Sequence, residues 1–127
     1  MAHRSRLAAV LVDVPADQRE QASTFWSAAF GRKPSQVPNN PEYDYLDEVT
    51  PGIEFMVQGT GDDKPRVHFD IETDDIDAEV ARLTALGATE VDRVKSWVIM
   101  RDPVGTTFCV VKIQLKDSFE AHATTWE

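Results

Sequence analysis

The side chains in this sequence best placed to do chemistry lie on short apolar runs. In Val67-His-Phe-Asp-Ile-Glu72 apolar and polar residues alternate, so a strand there turns His68, Asp70 and Glu72 to one face and Val67, Phe69 and Ile71 to the other. In Leu7-Ala-Ala-Val-Leu-Val-Asp-Val14, Asp13 shares a face with Ala9 and Leu11. Asp13 and Asp70 are therefore candidates to reach an interior ligand, with turn capping or solvent contact as the plainer alternative. Met56, Trp97, Tyr43 and Tyr45 could line an apolar ligand pocket, and core packing accounts for them equally well. Cys109, the one cysteine, sits in Phe-Cys-Val-Val and reads first as a small buried hydrophobe. The sequence has no glycine-rich phosphate loop, no Ser-His-Asp arrangement with a recognisable local signature and no cysteine pair at zinc spacing.

Positioning these groups requires a doubled set of elements. Leu7–Val14 reads as a largely buried strand ending at Pro15, and a helix is expected from about Ala16 to Phe30. Its Ala22, Phe25, Trp26, Ala29 and Phe30 fall on one face, which is expected to pack as core, and Gly31 supplies the stop. The prolines and asparagines between Arg32 and Glu42 permit at most a short irregular edge strand. Tyr43–Val49 and Ile53–Gln58 read as strands joined by a turn at Thr50-Pro-Gly52, followed by a polar hinge from Gly59 to Pro65. The order then repeats. Val67–Glu72 is a strand, and Asp74 or Asp75 caps a helix with Ile76, Val80 and Leu83 as its buried stripe and Gly87 at its end. A strand at Thr89–Val94 and a hairpin of Trp97–Arg101 with Thr106–Ile113 about a type I turn, Asp102-Pro-Val-Gly105, complete the second module. The tail from residue 114 to 127 carries Phe119 and Trp126, unfavourable to leave in water, so it is expected either to pack across a partner subunit or to fray. His3 and His122, in polar terminal segments, are expected in solvent.

Composition narrows the function. The chain of 127 residues is 42% hydrophobic and 28% charged, ordinary for a globular protein, and one domain spanning 1–127 is expected, burying roughly two-thirds of its unfolded surface. A net charge of −9 repels phosphate backbones and anionic bilayers, which argues against nucleic acid and membrane as partners. A single cysteine cannot close an internal disulfide, and Leu7–Val12 is too short for a signal core or a membrane span, so a cytoplasmic location is expected.

Three motifs together resemble one known group. Phe25-Trp-Ser-Ala-Ala-Phe-Gly31 after the first strand, Val67-His-Phe-Asp-Ile followed by Asp-Ala-Glu-Val-Ala-Arg-Leu-Thr-Ala-Leu-Gly87, and Asp102-Pro-Val-Gly105 before the last strand resemble the vicinal oxygen chelate superfamily, the glyoxalase, bleomycin-resistance and dioxygenase type. The resemblance runs from about Leu7 to Ile113. It implies an α+β fold of two βαβββ modules, about 7–58 and 67–113, forming a curved-sheet cup with the helices outside, and it implies a homodimer. Metal-binding members draw four ligands from the first and last strands of each module, and those positions here are Ala9, Glu54, His68 and Cys109. Glu54 and His68 match the pattern, Ala9 cannot coordinate, and Cys109 replaces the usual glutamate. If Cys109 ionises, Glu54, His68 and the thiolate would make an open three-ligand zinc site. Without a metal, His68 lines the cup, hydrogen-bonded to a neighbour such as Glu54, and Glu54 could act as a general base if the apolar wall raised its pKa. The expectation is a small-molecule binder with no cofactor. The alternatives are a lyase, isomerase or dioxygenase using one divalent zinc, nickel, manganese or iron ion on a chelating oxygenated substrate, and an interaction module without a ligand.

Overall fold

The computed structural model describes residues 2–127. Among the described residues there are nine strands and three helices, eight of the strands and two of the helices in two βαβββ series, which is the α+β class and the doubled order expected. The first series is β1 (His3–Pro15), a 3-10 turn (Ala16–Gln18), α1 (Arg19–Phe30), β2 (Pro34–Val37), β3 (Asn40–Thr50) and β4 (Ile53–Thr60). The second is β5 (Arg66–Thr73), α2 (Ile76–Ala85), β6 (Thr89–Val94), β7 (Trp97–Arg101) and β8 (Thr107–Lys112), followed by α3 (Lys116–His122) and β9 (Thr124–Trp126). By contacts the chain separates into two compact units, Ala9–His68 and Met1–Ala8 with Phe69–Glu127, so the division falls within β1 and β5 rather than in the polar loop between the series.

In the Ala9–His68 unit the strand order is β2, β3, β4, then the later part of β1. β2 and β3 pair antiparallel, as do β3 and β4, while β1 runs parallel to β4 with Ala9 level with Glu54 and Asp13 level with Gln58. Gly52, at φ 78°, closes the turn between β3 and β4 that the Pro-Gly pair announces. Val57 and Leu46 are fully enclosed, and Phe55 meets the rings of Trp26 and Phe30, which fixes this side of the sheet as the helix side. The aromatic stripe of α1 is not the closed core that its spacing suggested. Phe25 is 61% exposed and Phe30 39% exposed, and Ser23 is the buried residue of the helix. The reason is rotational: α1 lays Ser23 and the edge of Trp26 on the sheet, leaving Phe25 to pack edge-on against Trp26 from outside.

The other unit holds β5, β8, β7 and β6 in that order, β5 and β8 parallel and the rest antiparallel. Val98, Met100, Phe108 and Val110 on one face join Val80 of α2 and Ala88 in the core, with Ile71, Ile76 and Leu83 against it. Asp75 is the cap of α2, accepting from the Ala78 amide at 3.0 Å, and Asp102 folds the β7–β8 turn by accepting from the Val104 and Thr106 amides at 2.9 Å. Two expectations for the ends fail here. The tail does not fray: Phe119 of α3 is fully buried under the Arg4 guanidinium, and β9 pairs antiparallel with His3–Ser5. That pairing extends β1 back to His3, which is not solvated but 7% exposed and hydrogen-bonded to the enclosed Glu79 at 2.7 Å.

Candidate functional site

Strand alternation builds the first group of polar residues. Phe55 and Val57 face α1, so Glu54, Met56 and Gln58 face the other way, and the parallel register sets Ala9, Leu11 and Asp13 beside them on that face. β3 adds Tyr45 level with Met56 and Tyr43 level with Gln58, whose amide donates to the Tyr43 hydroxyl at 3.1 Å. Leu11 and Ala9 are buried, whereas Glu54, Met56, Tyr43, Tyr45 and Gln58 are half-buried. The result is a face that carries apolar side chains, the Tyr43 and Tyr45 hydroxyls and the carboxyls of Asp13 and Glu54.

His68 completes this group. Its Nδ1 donates to Asp13 Oδ2 at 2.5 Å, with the imidazole residue 8% and the aspartate 7% exposed. A carboxylate bonded to one imidazole nitrogen fixes the orientation of the ring, the arrangement by which a histidine is oriented as a base or as a ligand. The second carboxylate oxygen, Asp13 Oδ1, is buried and has no hydrogen-bond partner among the described residues. A buried carboxylate oxygen without a donor is costly, so the pair is chemically incomplete as it stands. The sequence put both residues among the candidates for an inward face and offered Glu54 as one neighbour for His68; Asp13 is a partner that the packing brings from 55 residues away in sequence.

The remaining candidates fall in the other unit. Asp70 lies level with Cys109 and Cys109 level with Ile99, on the sheet face opposite Val98, Met100, Phe108 and Val110. Cys109 is half-buried, unlike the enclosed hydrophobe its sequence setting implies, because alternation turns it away from the α2 core. Trp97 stands at the start of β7, level with Val94. Sequence reasoning missed a buried pair on β5: Arg6 Nε donates to Glu72 Oε2 at 2.6 Å, and Glu72 Oε1 accepts from the Gln114 and Leu115 amides. Glu72 was legible as a residue sharing the His68 face, but its partners lie at both ends of the chain.

A family model for a glyoxalase-like domain matches residues 9–111, most of the chain. The chain belongs to the glyoxalase-like family. No protein of curated function matches this glyoxalase-like chain. Solved structures share its fold at low identity. Methylmalonyl-CoA epimerase from Mycobacterium tuberculosis superposes with a TM-score of 0.61 at 15% identity, covering 88% of this chain and 90% of that one. The hypothetical protein BH1468 from Bacillus halodurans reaches 0.63 at 9% identity, covering 87% and 95%. A glyoxalase/bleomycin resistance protein/dioxygenase superfamily member from Vibrio splendidus reaches 0.50 at 16% identity, covering 83% and 97%. Ala9, level with Glu54 and 4% exposed, offers no side-chain ligand atom, and His68 Nδ1 is bonded to Asp13.

Proposed function

We propose that this protein binds a small oxygenated organic molecule on the sheet face that carries Asp13, Met56 and His68, without the superfamily's complete metal set. The observation that supports this most directly is the buried, partnerless Asp13 Oδ1 beside an oriented imidazole. A ligand hydroxyl or N–H would satisfy the oxygen, the oriented His68 imidazole would face the ligand's polar end, and Leu11, Met56 and Tyr45 would cover an apolar body. If the ligand is also turned over, the dyad suits proton abstraction next to a carbonyl, the chemistry of a lyase or isomerase, with the imidazole as the base. The same fold in an epimerase of an acyl-CoA supports that direction at the level of fold alone.

A second reading uses a divalent ion. Asp70 lies level with Cys109 and follows His68 by two residues on one strand, so an imidazole, a carboxylate and a thiol line neighbouring strands. Metal analysis of protein purified without chelator separates the two readings. The metal-free reading expects less than a tenth of an equivalent of zinc, nickel, manganese or iron, and a stoichiometric ion lost in His68→Ala would overturn it. Thermal-shift screening with hydroxy acids, keto acids and acyl thioesters tests the ligand class: stabilisation that disappears in His68→Ala is expected, and no stabilisation by any class would leave the interaction-module reading instead. A cytoplasmic homodimer completes the proposal, on the superfamily's habit and the chain's soluble composition.

A further inference from the structure

The second compact unit contains a pocket of about 560 Å³ on the α2 side of its sheet. Phe69 and Ile71 of β5, Phe108 of β8, Leu83 and Leu86 at the end of α2, and Trp126 of β9 line it. Phe69 and Ile71 alternate with Asp70, so this pocket opens on the face of β5 opposite Asp70, and none of its lining residues belongs to the Asp13–His68 site. We infer that it is a separate binding site for a neutral, hydrophobic small molecule with a flat aromatic body.

Three observations define that ligand. The volume lies in the range that takes a drug-sized molecule. The charged side chains on the wall are already matched inside the protein. Arg82 donates to both oxygens of Glu79 at 2.8 Å, Glu79 also holds His3, Arg6 is paired with Glu72, and Asp102 accepts turn amides. A charged ligand would therefore enter without a counter-ion and lose its hydration for nothing. The mouth, finally, keeps apolar area in water, with Leu7 45%, Phe69 39% and Leu86 67% exposed, which a hydrophobic occupant would cover. Trp126 is held for that role. Its indole N–H donates to Ser5 Oγ at 2.9 Å, and the Arg82 guanidinium lies 3.9 Å over its ring, so the flat wall is rigid before a ligand arrives.

Titration of the protein with the neutral naphthalene fluorophore prodan, read by its emission and by nuclear magnetic resonance of the Trp126 indole N–H and the Leu83 methyls, tests the inference. Saturable one-site binding that shifts those resonances is expected. Leu86→Arg, at the exposed rim where folding is undisturbed, should weaken binding at least tenfold. Shifts confined to Trp97, Tyr45 and Met56 would assign the dye to the other face and overturn the inference. So would the absence of binding up to the solubility of the dye, or a Leu86→Arg protein that turns from dimer to monomer while the wild type takes no dye. Because the probe is neutral and the readouts lie on β9 and α2, failure here leaves the Asp13–His68 proposal standing.

Discussion

At residue scale the decisive feature is a bond between two side chains that composition would rank as ordinary. Asp13 and His68 are each of a kind usually found at surfaces, yet each is more than nine-tenths buried, and the two are hydrogen-bonded to each other. Removing the carboxylate leaves the imidazole without its orienting acceptor. Asp13→Ala should therefore cost about 1.5–3 kcal/mol in ligand affinity, the worth of a charge-assisted hydrogen bond, or roughly 10–150-fold in Kd. Asp13→Asn, which keeps shape and an acceptor, should recover part of it. Isothermal titration with the compound found by thermal shift measures both, and equal affinities in wild type and Asp13→Ala would refute the role given to this residue.

The elements are held by a second set of buried charges. Burial alone would push the Glu79 carboxyl up, but hydrogen bonds from Arg82, His3 and Ser5 outweigh it and hold it below its ordinary value of 4.5. The folded form thus ionises more readily than the unfolded chain, which binds more protons in acid. The stability this supplies is complete above about pH 4.5 and falls as pH drops through the lower folded value. Urea melts from pH 3 to pH 6 should show the decline, and Glu79→Gln should flatten part of it. Asp74 and Glu120, both held low through Arg4, keep the remainder: burial works against Asp74 while Arg4 bonds win, and the Arg4 side chain is the main cause for Glu120. A slope unchanged in Glu79→Gln would show that Glu79 contributes nothing to it. The end of α2 offers a steric counterpart. Gly87 holds φ at +109°, and a Cβ there would meet Pro103 Cγ at 3.2 Å. Gly87→Ala should destabilise by about 1–3 kcal/mol, visible as a lower urea midpoint with an unchanged slope.

At the scale of the whole molecule the family sets one further expectation, dimerisation. Sedimentation across micromolar concentrations should return twice the mass of the chain, and a monomer throughout would contradict the proposal. No helix among the described residues is long and apolar enough to cross a membrane. The net charge of −9 continues to argue against nucleic acid and anionic bilayers as partners.

What the sequence determined by itself was local and periodic. Alternation on β5, the Asp75 cap, the Asp102-Pro-Val-Gly105 turn and the doubled strand-helix-strand order all follow from interactions within a few residues, and all were legible in the chain. Which side chains share a strand face was legible too, because a period of two assigns a face without knowing the neighbour. The neighbours themselves were not. Asp13 and His68, Arg6 and Glu72, and His3 and Glu79 are 55, 66 and 76 residues apart, and no spacing rule joins them. Nor could the spacing of Phe25 and Trp26 reveal which side of α1 would meet the sheet, or the composition of the tail that Trp126 would return to Ser5. Register and packing are decided by many weak long-range contacts at once, and only the tertiary structure states their sum.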